Sequence, residues 1–320
     1  MTRETIPDVG GWFRTARDGT VGRPAWSPAT GGFGLSSPEG VVGAGLDVLR
    51  GRRTLVLTGA GMSTGSGLPD YRGQHAVARS PMTYQEFVGE DLSRRRYWAR
   101  SFVGWRAFCR AQPNTAHRAL ARLGQLLTVT AVVTQNVDEL HQAAGSRPVI
   151  DLHGRLSLVV CLGCTRVIRR ADLQDDFAAL NPDFASRLER LARNARKAPD
   201  GDAEVDRTET FRYPDCSSCG GILKPEVVFF GENAQREVLA RAMAAAEVAE
   251  AVLVLGSSLS VMSGLRFVRG AVRDGKPVVI VNDGATRGDD LATIRIHGRL
   301  DTVLTRWVQT FSDPAAGSRR

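Results

Sequence analysis

The sequence predicts an α/β protein built on a doubly wound parallel sheet, with a smaller module inserted into it. Two observations carry that prediction. Short runs of valine, leucine and isoleucine alternate with helical patterns along most of the chain, and unbroken aliphatic runs suit strands buried on both faces of a sheet. Midway, residues 155–221 break the rhythm and hold two Cys-x-x-Cys pairs.

Residues 1–40 are rich in glycine, proline and serine ("GRPAWSPATGGFGLSSPEG") and show no period of 2 or 3.6, so they read as a disordered extension. A helix follows over "VVGAGLDVLR". Strands are predicted at 54–58, 129–134, 225–230, 251–256 and 277–282, and helices at 91–109, 115–127, 233–248, 262–274 and 301–310. On this reading 41–154 and 222–311 form one discontinuous domain, 155–221 the inserted module and 312–320 a tail.

Apolar residues make up 42 % of the chain and charged residues 24 %, as in soluble globular proteins. No run approaches the roughly 18 apolar residues of a membrane helix, and the N-terminus lacks an apolar leader core. A cytoplasmic protein without a membrane partner is expected. The net charge of +8 is almost all arginine, with lysine only at Lys197, Lys224 and Lys276. No basic run interleaves with aromatics, so the charge reads as a solvated surface and direct nucleic-acid binding is not expected.

Cys161/Cys164 and Cys216/Cys219 form the two pairs, and Cys109 stands alone. In a cytosolic chain that spacing reads as metal before disulfide. Four thiolates make a closed tetrahedral zinc site, which is structural because no ligand position stays open. A redox dithiol or buried free thiols are the alternatives. A module this polar builds little core alone, so the metal would supply much of its folding free energy.

The stretch "TLVLTGAGMSTGSGLPDYRG" (54–73) opens like a dinucleotide phosphate loop. Backbone N–H groups at such a strand end can face a pyrophosphate. Yet the glycines fall at Gly59, Gly61 and Gly65, one place late for G-x-G-x-x-G, and Pro69 interrupts the expected helix. A hydride-transfer site also wants an acid about twenty residues on, and "VARSP" has none. Glycines here also suit plain packing, and Ser63 is placed to cap a helix. Gln135, Asn136 and Asp138 in "TQNVDELHQAAG" fall at a strand's C-terminal end, where open α/β sheets hold ligands. Asn136 or Asp138 serves equally as a helix cap. His153 in "IDLHG" is a candidate base near neutral pH, against the reading of a structural histidine given to His75, His117, His141 and His297. "LGSSLSV" and "VNDG" each follow a buried run.

In this order, "GAGMSTGSGLPDYRG", "TQNVDELHQAAG", "DLHG", "CLGC", "CSSCGG", "LKPEVVFFGE", "GSSLSV" and "VNDG" resemble the sirtuins, the NAD-dependent protein deacylases. "RRRYWARSFVGW" and "SGLRFV" look like the class II branch. The resemblance spans roughly residues 42–311 and implies a Rossmann-like NAD domain with an inserted zinc module. It implies that NAD is consumed as a co-substrate, so no hydride geometry is needed. Acylated lysine side chains of proteins are the implied partners. Products would be nicotinamide, O-acyl-ADP-ribose and free lysine.

The resemblance further implies NAD contacts at Gly59, Ala60, Gly61, Ser63, Asp70, Tyr71 and Arg72, with Tyr71 screening the reacting carbon and Arg72 holding phosphates. Gln135, Asn136, Val137 and Asp138 would hold the nicotinamide ribose and carboxamide. His153 would be the general base, with Asn136 the second catalytic residue. Gly256, Ser257, Ser258, Asn282, Asp283, Gly284 and the backbone at Leu300 would hold the adenosine half. The acyl-lysine peptide would lie extended between "VVFFGE" and 260–264. Three features depart from the family pattern. Gly65 replaces a common glutamate, "SVMSG" replaces a V-x-P-A type loop, and no Tyr-x-x-Arg of the kind that reads succinyl or malonyl groups is found after the cofactor loop. Acetyl, longer acyl and lipoyl groups stay open. Protein mono-ADP-ribosylation or simple NAD hydrolysis is the alternative use of the same pocket.

Overall fold

Strand β1 (Thr54–Thr58) is buried at every position and stands inside the large sheet. The computed structural model describes residues 33–70, 81–194, 205 and 207–312. Among these, six parallel strands run in the order β3 (Val149–Asp151), β2 (Val129–Thr134), β1, β7 (Ala251–Leu255), β8 (Val278–Asn282) and β9 (Ile294–His297). The order reverses between β1 and β7, which opens a crevice at the C-terminal strand ends.

Alternation along the strands explains the continuous aliphatic runs. Leu253 and Leu255 of β7 face a core shared with α1 (Glu39–Leu49), α4 (Thr115–Leu123) and α10 (Leu300–Ser312), through Leu46, Leu120 and Trp307. Val252 and Val254 face the opposite core, with Ala242 of α8 (Arg236–Glu247) and Leu265 and Val268 of α9 (Met262–Arg273). Both faces are covered, as the parallel prediction requires.

The run predicted as a strand at 225–230 does not join this sheet. It becomes β6 (Leu223–Val227), which pairs antiparallel with β4 (Gly154–Cys161) in a second sheet ordered β5 (Val167–Arg169), β4, β6. Pro225 has no N–H to donate, and an edge strand tolerates that loss. The next residues leave the ladder, since Val228 N–H donates to His153 O at 2.9 Å and Tyr84 N–H to Phe230 O at 2.9 Å. β3, β4, β5 and β9 were not predicted.

Packing does not divide at residues 155 and 222 either. Phe87 of α2 (Tyr84–Gly89) and Tyr97, Trp98 and Phe102 of α3 (Asp91–Phe108) share one cluster with Phe177 of α6 (Arg170–Leu180), Phe211, Cys161 and Cys216. The insertion thus shares its core with aromatics that precede it. Arg170 is fully buried there, its guanidinium carbon 5.0 Å from the Trp105 and Phe177 ring centres, and Ser101 Oγ accepts from it at 3.3 Å. Gln174 Oε1 accepts from it at 2.8 Å, and the aromatic faces add cation–π attraction.

The extension predicted at 1–40 is ordered from residue 33 onward among the described residues. Ser37 N–H donates to His297 O at 2.8 Å, and Ser37 Oγ accepts from His297 N at 2.9 Å. Helix α1 already begins at Glu39. Low sequence complexity did not reveal these long-range hydrogen bonds. Residues 1–32 and the predicted tail from 313 lie outside the described residues. No described helix is long and apolar enough to cross a membrane.

His117 and His141 are structural, as expected. Their ring centres lie 4.9 Å apart, and His141 Nε2 stands 2.9 Å from Thr58 Oγ1. Desolvation lowers His117 from 6.5 to about 4 and His141 to about 3, with smaller contributions from Arg118 and His117 respectively. Both are neutral in the folded protein at pH 7, while unfolded histidines gain protons below about 6.5. Stability is therefore complete above that pH and declines below it, by up to about 1.4 kcal/mol per pH unit for each histidine. We expect the urea midpoint to hold from pH 8 to 6.5 and to fall steadily between 6.5 and 5. A constant midpoint over the lower interval would contradict this assignment.

Candidate active site

Gly59 leaves β1 in an extended conformation, and two 3-10 turns (Ala60–Met62 and Thr64–Ser66) replace the expected helix start. The glycines serve backbone contact with the end of β7. A Cβ at Gly59 would meet Gly256 O at 2.9 Å, and one at Gly61 would meet Gly256 Cα at 2.9 Å. Gly256 itself has φ +60° and no room for a Cβ, with Met62 N at 2.7 Å. Gly61 N–H donates to Gly256 O at 2.9 Å. Ser63 caps no helix. Its hydroxyl donates to Asp138 Oδ2 at 2.5 Å and accepts from Asn136 Nδ2 at 3.0 Å.

The end of β2 is tied into the same knot. Asn136 Nδ2 also donates to Gly59 O at 3.1 Å, and Gln135 Nε2 donates to Thr58 O at 3.2 Å and Ser257 Oγ at 2.8 Å. Asp138 Oδ1 accepts from Leu140 N–H at 2.9 Å. Burial raises the Asp138 carboxyl above its ordinary value, opposed by the Ser63 hydrogen bond.

His153 follows β3 and stands beside this knot. Its Nδ1 lies 3.0 Å from Gln135 O, and a carbonyl only accepts, so Nδ1 carries the proton. Nε2 is left as the basic nitrogen, 2.8 Å from Ser263 Oγ, which donates to it. Desolvation lowers His153 from 6.5 to about 4, against the opposing Gln135 bond.

A cavity of about 430 Å³ joins these groups. Gly59, Ala60, Gly61, Ser63 and Asp70 line it, as do Gln135, Asn136, Val137, Asp138 and His153. Gly256, Ser257, Ser258, Asn282 and Asp283 line its far end. Two predicted contacts do not line it. Leu300 is buried in the core against Gly256, and the Phe33 ring covers Gly284. Tyr71 and Arg72 lie outside the described residues.

Sequence reasoning missed other lining residues, Phe33, Tyr97, Arg100 and Arg266, and placed Ser263 only within the peptide loop at 260–264. Tyr97 and Arg100 correct one expectation outright. "YWAR" is a Tyr-x-x-Arg, and spacing i, i+3 sets both residues on one side of α3. The signal was in plain view, within a stretch quoted only for its likeness to the class II branch. Tyr97 rests edge-on to Phe229 with centres 5.2 Å apart. Burial lowers the Arg266 guanidinium below its ordinary value.

The four paired cysteines converge. Their sulfur atoms all lie within 4.8 Å of one another, with Cys161–Cys219 at 3.4 Å and Cys164–Cys216 at 3.8 Å. A tetrahedral zinc with Zn–S near 2.3 Å sets sulfur–sulfur edges of about 3.8 Å, so the set fits that ion. Gly163 and Cys164 N–H groups point at Cys161 Sγ, at 3.3 and 3.5 Å. A Cβ at Gly221 would stand 2.9 Å from the same sulfur.

Fold and site together define a Rossmann-like α/β protein whose crevice at the strand ends suits a dinucleotide, with a second lobe stapled by four thiols. Residues 59–263 match the Sir2 family, and the chain belongs to that family. It is 51 % identical over 257 residues to NAD-dependent protein deacetylase 1 of Mycobacterium avium, covering 80 % of this chain and 91 % of the relative. It is 47 % identical over 287 residues to NAD-dependent protein deacetylase 1 of Streptomyces coelicolor, covering 88 % and 92 %. A solved Sir2 complex with a p53 peptide and NAD+ matches with a TM-score of 0.65 at 32 % identity, covering 83 % of this chain and 97 % of that one. A Sir2 variant with deacetylated p53 peptide and 3′-O-acetyl ADP ribose matches with a TM-score of 0.64 at 30 % identity, covering 84 % and 97 %.

We expect one zinc per chain. Cys161→Ser should lose the metal and lower the melting temperature by several degrees, because Cys161 and Cys216 belong to the core of the second lobe. Metal analysis with calorimetry tests this, and a zinc-free variant that melts unchanged would refute it.

Proposed function

We propose that this protein is an NAD-dependent protein-lysine deacylase that yields nicotinamide, O-acyl-ADP-ribose and free lysine. One observation carries the reading: His153 is a neutral imidazole whose basic Nε2 sits at the wall of a cavity long enough to continue past Ser257 to Asn282. Relatives that are half identical and named NAD-dependent protein deacetylases support it. NAD, when bound, supplies the ADP-ribosyl group that accepts the acyl.

The residues divide the remaining work. His153 Nε2 takes a proton from a ribose hydroxyl that replaces Ser263 Oγ as its partner, and the Gln135 carbonyl keeps Nδ1 protonated throughout. Asn136 is held rigid by Gly59 O and Ser63 Oγ, and no described residue bonds its Oδ1, which is left for the ligand. Asp138 contributes negative charge where a cationic ribose develops, and fixed groups of that kind stabilise charge better than water does. The acyl-lysine peptide enters between 228–232 and 260–263, which line the same cavity. A cytoplasmic location goes with this reading. Neither a membrane nor a nucleic acid is a partner in it.

Arg100 and Tyr97 favour a particular acyl class. A guanidinium in the cavity wall complements an acyl chain that ends in a carboxylate, so acidic acyl groups join acetyl as substrates.

The test is mass spectrometry of the protein with NAD and a mixed set of acyl-lysine peptides. Matched O-acyl-ADP-ribose is expected. Nicotinamide release with ADP-ribose added to protein would favour the transferase alternative instead. Arg100→Leu should lower kcat/KM for glutaryl- or succinyl-lysine about tenfold or more and leave acetyl-lysine within a few-fold. Equal losses on both would remove the acidic-acyl reading.

A pH profile checks the base. Because free His153 titrates at about 4, it stays neutral well below pH 6.5. Initial-rate kcat/KM should be flat from pH 8 to 5.5 and fall toward 4. A half-loss at pH 6.5 would mean that the imidazole is not enclosed.

A further inference from the structure

The segment before α1 runs along the end of the large sheet. Gly34 N–H donates to Asp283 Oδ1 at 2.7 Å, and Ser37 exchanges two hydrogen bonds with His297 at the end of β9. Glu39, the first residue of α1, pairs with Arg306. These ties hold Phe33 over Gly284, where a Cβ would stand 2.5 Å from the ring. Gly284 has φ +95°, so glycine is needed there for conformation and for space. Phe33 also lines the cavity at the end formed by Gly256, Ser258 and Asn282. The other aromatic rings that line it, among the described residues, are Tyr97, Phe229 and Phe230 on the side of the second lobe.

We propose that Phe33 is the adenine-facing wall of the dinucleotide site, a positioning residue supplied by the segment before α1. This rests on the NAD reading, because a nicotinamide end at His153 sends the adenosine end to β7 and β8. That end otherwise offers glycine, serine, Asn282, Asp283 and aliphatic contacts, with no second aromatic side chain among the described residues. Adenine has a flat π face, and stacking on an aromatic side chain is the contact it lacks elsewhere there. The hydrogen bond from Gly34 to Asp283 fixes the ring before the ligand arrives, so little ordering is needed on binding.

The test compares the full-length protein with Phe33→Ala, Phe33→Leu and Phe33→Trp. Steady-state kinetics give KM for NAD and for an acyl peptide, and calorimetry gives Kd for ADP-ribose. Phe33→Ala should raise KM for NAD and Kd for ADP-ribose about tenfold, with kcat and peptide KM within twofold. Phe33→Leu, which keeps bulk without a π face, should show a similar loss, and Phe33→Trp should restore affinity. Unchanged NAD affinity in the alanine and leucine variants would overturn the proposal. Tighter binding would overturn it too, by making the ring an obstruction. Equal losses in kcat, peptide KM and melting temperature would mark a merely structural role. A wild-type protein that binds neither NAD nor ADP-ribose would sink the underlying NAD reading instead.

Discussion

Three glycines pressed backbone to backbone hold the site together. Gly59 and Gly61 at the end of β1 sit against Gly256 at the end of β7, with no room for a Cβ on any of them. The Gly61 to Gly256 hydrogen bond closes the contact. From it hang Ser63, which reaches Asp138, and Asn136, which reaches back to Gly59. Gln135 then ties β2 to Ser257 and presents its own carbonyl to His153. An alanine at Gly61 would push two strand ends apart and loosen each of these bonds in turn.

The electrostatics follow from enclosure. The base role proposed for His153 needs a ring nitrogen that is bare at working pH, and desolvation favours the neutral ring. The carbonyl of Gln135 settles which nitrogen is bare. Ser263 occupies that nitrogen until a ligand hydroxyl arrives, so Nε2 is not left unsatisfied in the resting site. Asp138 is held by two donors close by, one of them Ser63.

Much of this was legible in the sequence. Strands β1, β2, β7 and β8 are continuous aliphatic runs, and doubly covered strands are the easiest to read. The cysteine spacing announced its cluster, and most of the described motif residues at strand ends line one cavity, though Gly284 and Leu300 do not. What was hidden depends on partners far away in the chain. β6 looks like any buried strand until its antiparallel neighbour β4 is known. Phe33 sits in a glycine-rich stretch, and only Asp283 and His297 explain its order. Tyr97 and Arg100 were visible as letters, but their helix reads as core, and nothing local says that one side of it faces a ligand.

That helix carries two obligations at once. Tyr97 belongs to the aromatic cluster that gives the four-cysteine lobe its interior, and it also lines the cavity at the strand ends. Most binding surfaces drift on loops while a scaffold stays fixed behind them. Here a change at position 97 alters the cavity wall and the packing of the lobe together. A change of this tyrosine is therefore tied to its ring neighbours Phe87, Trp98 and Phe229.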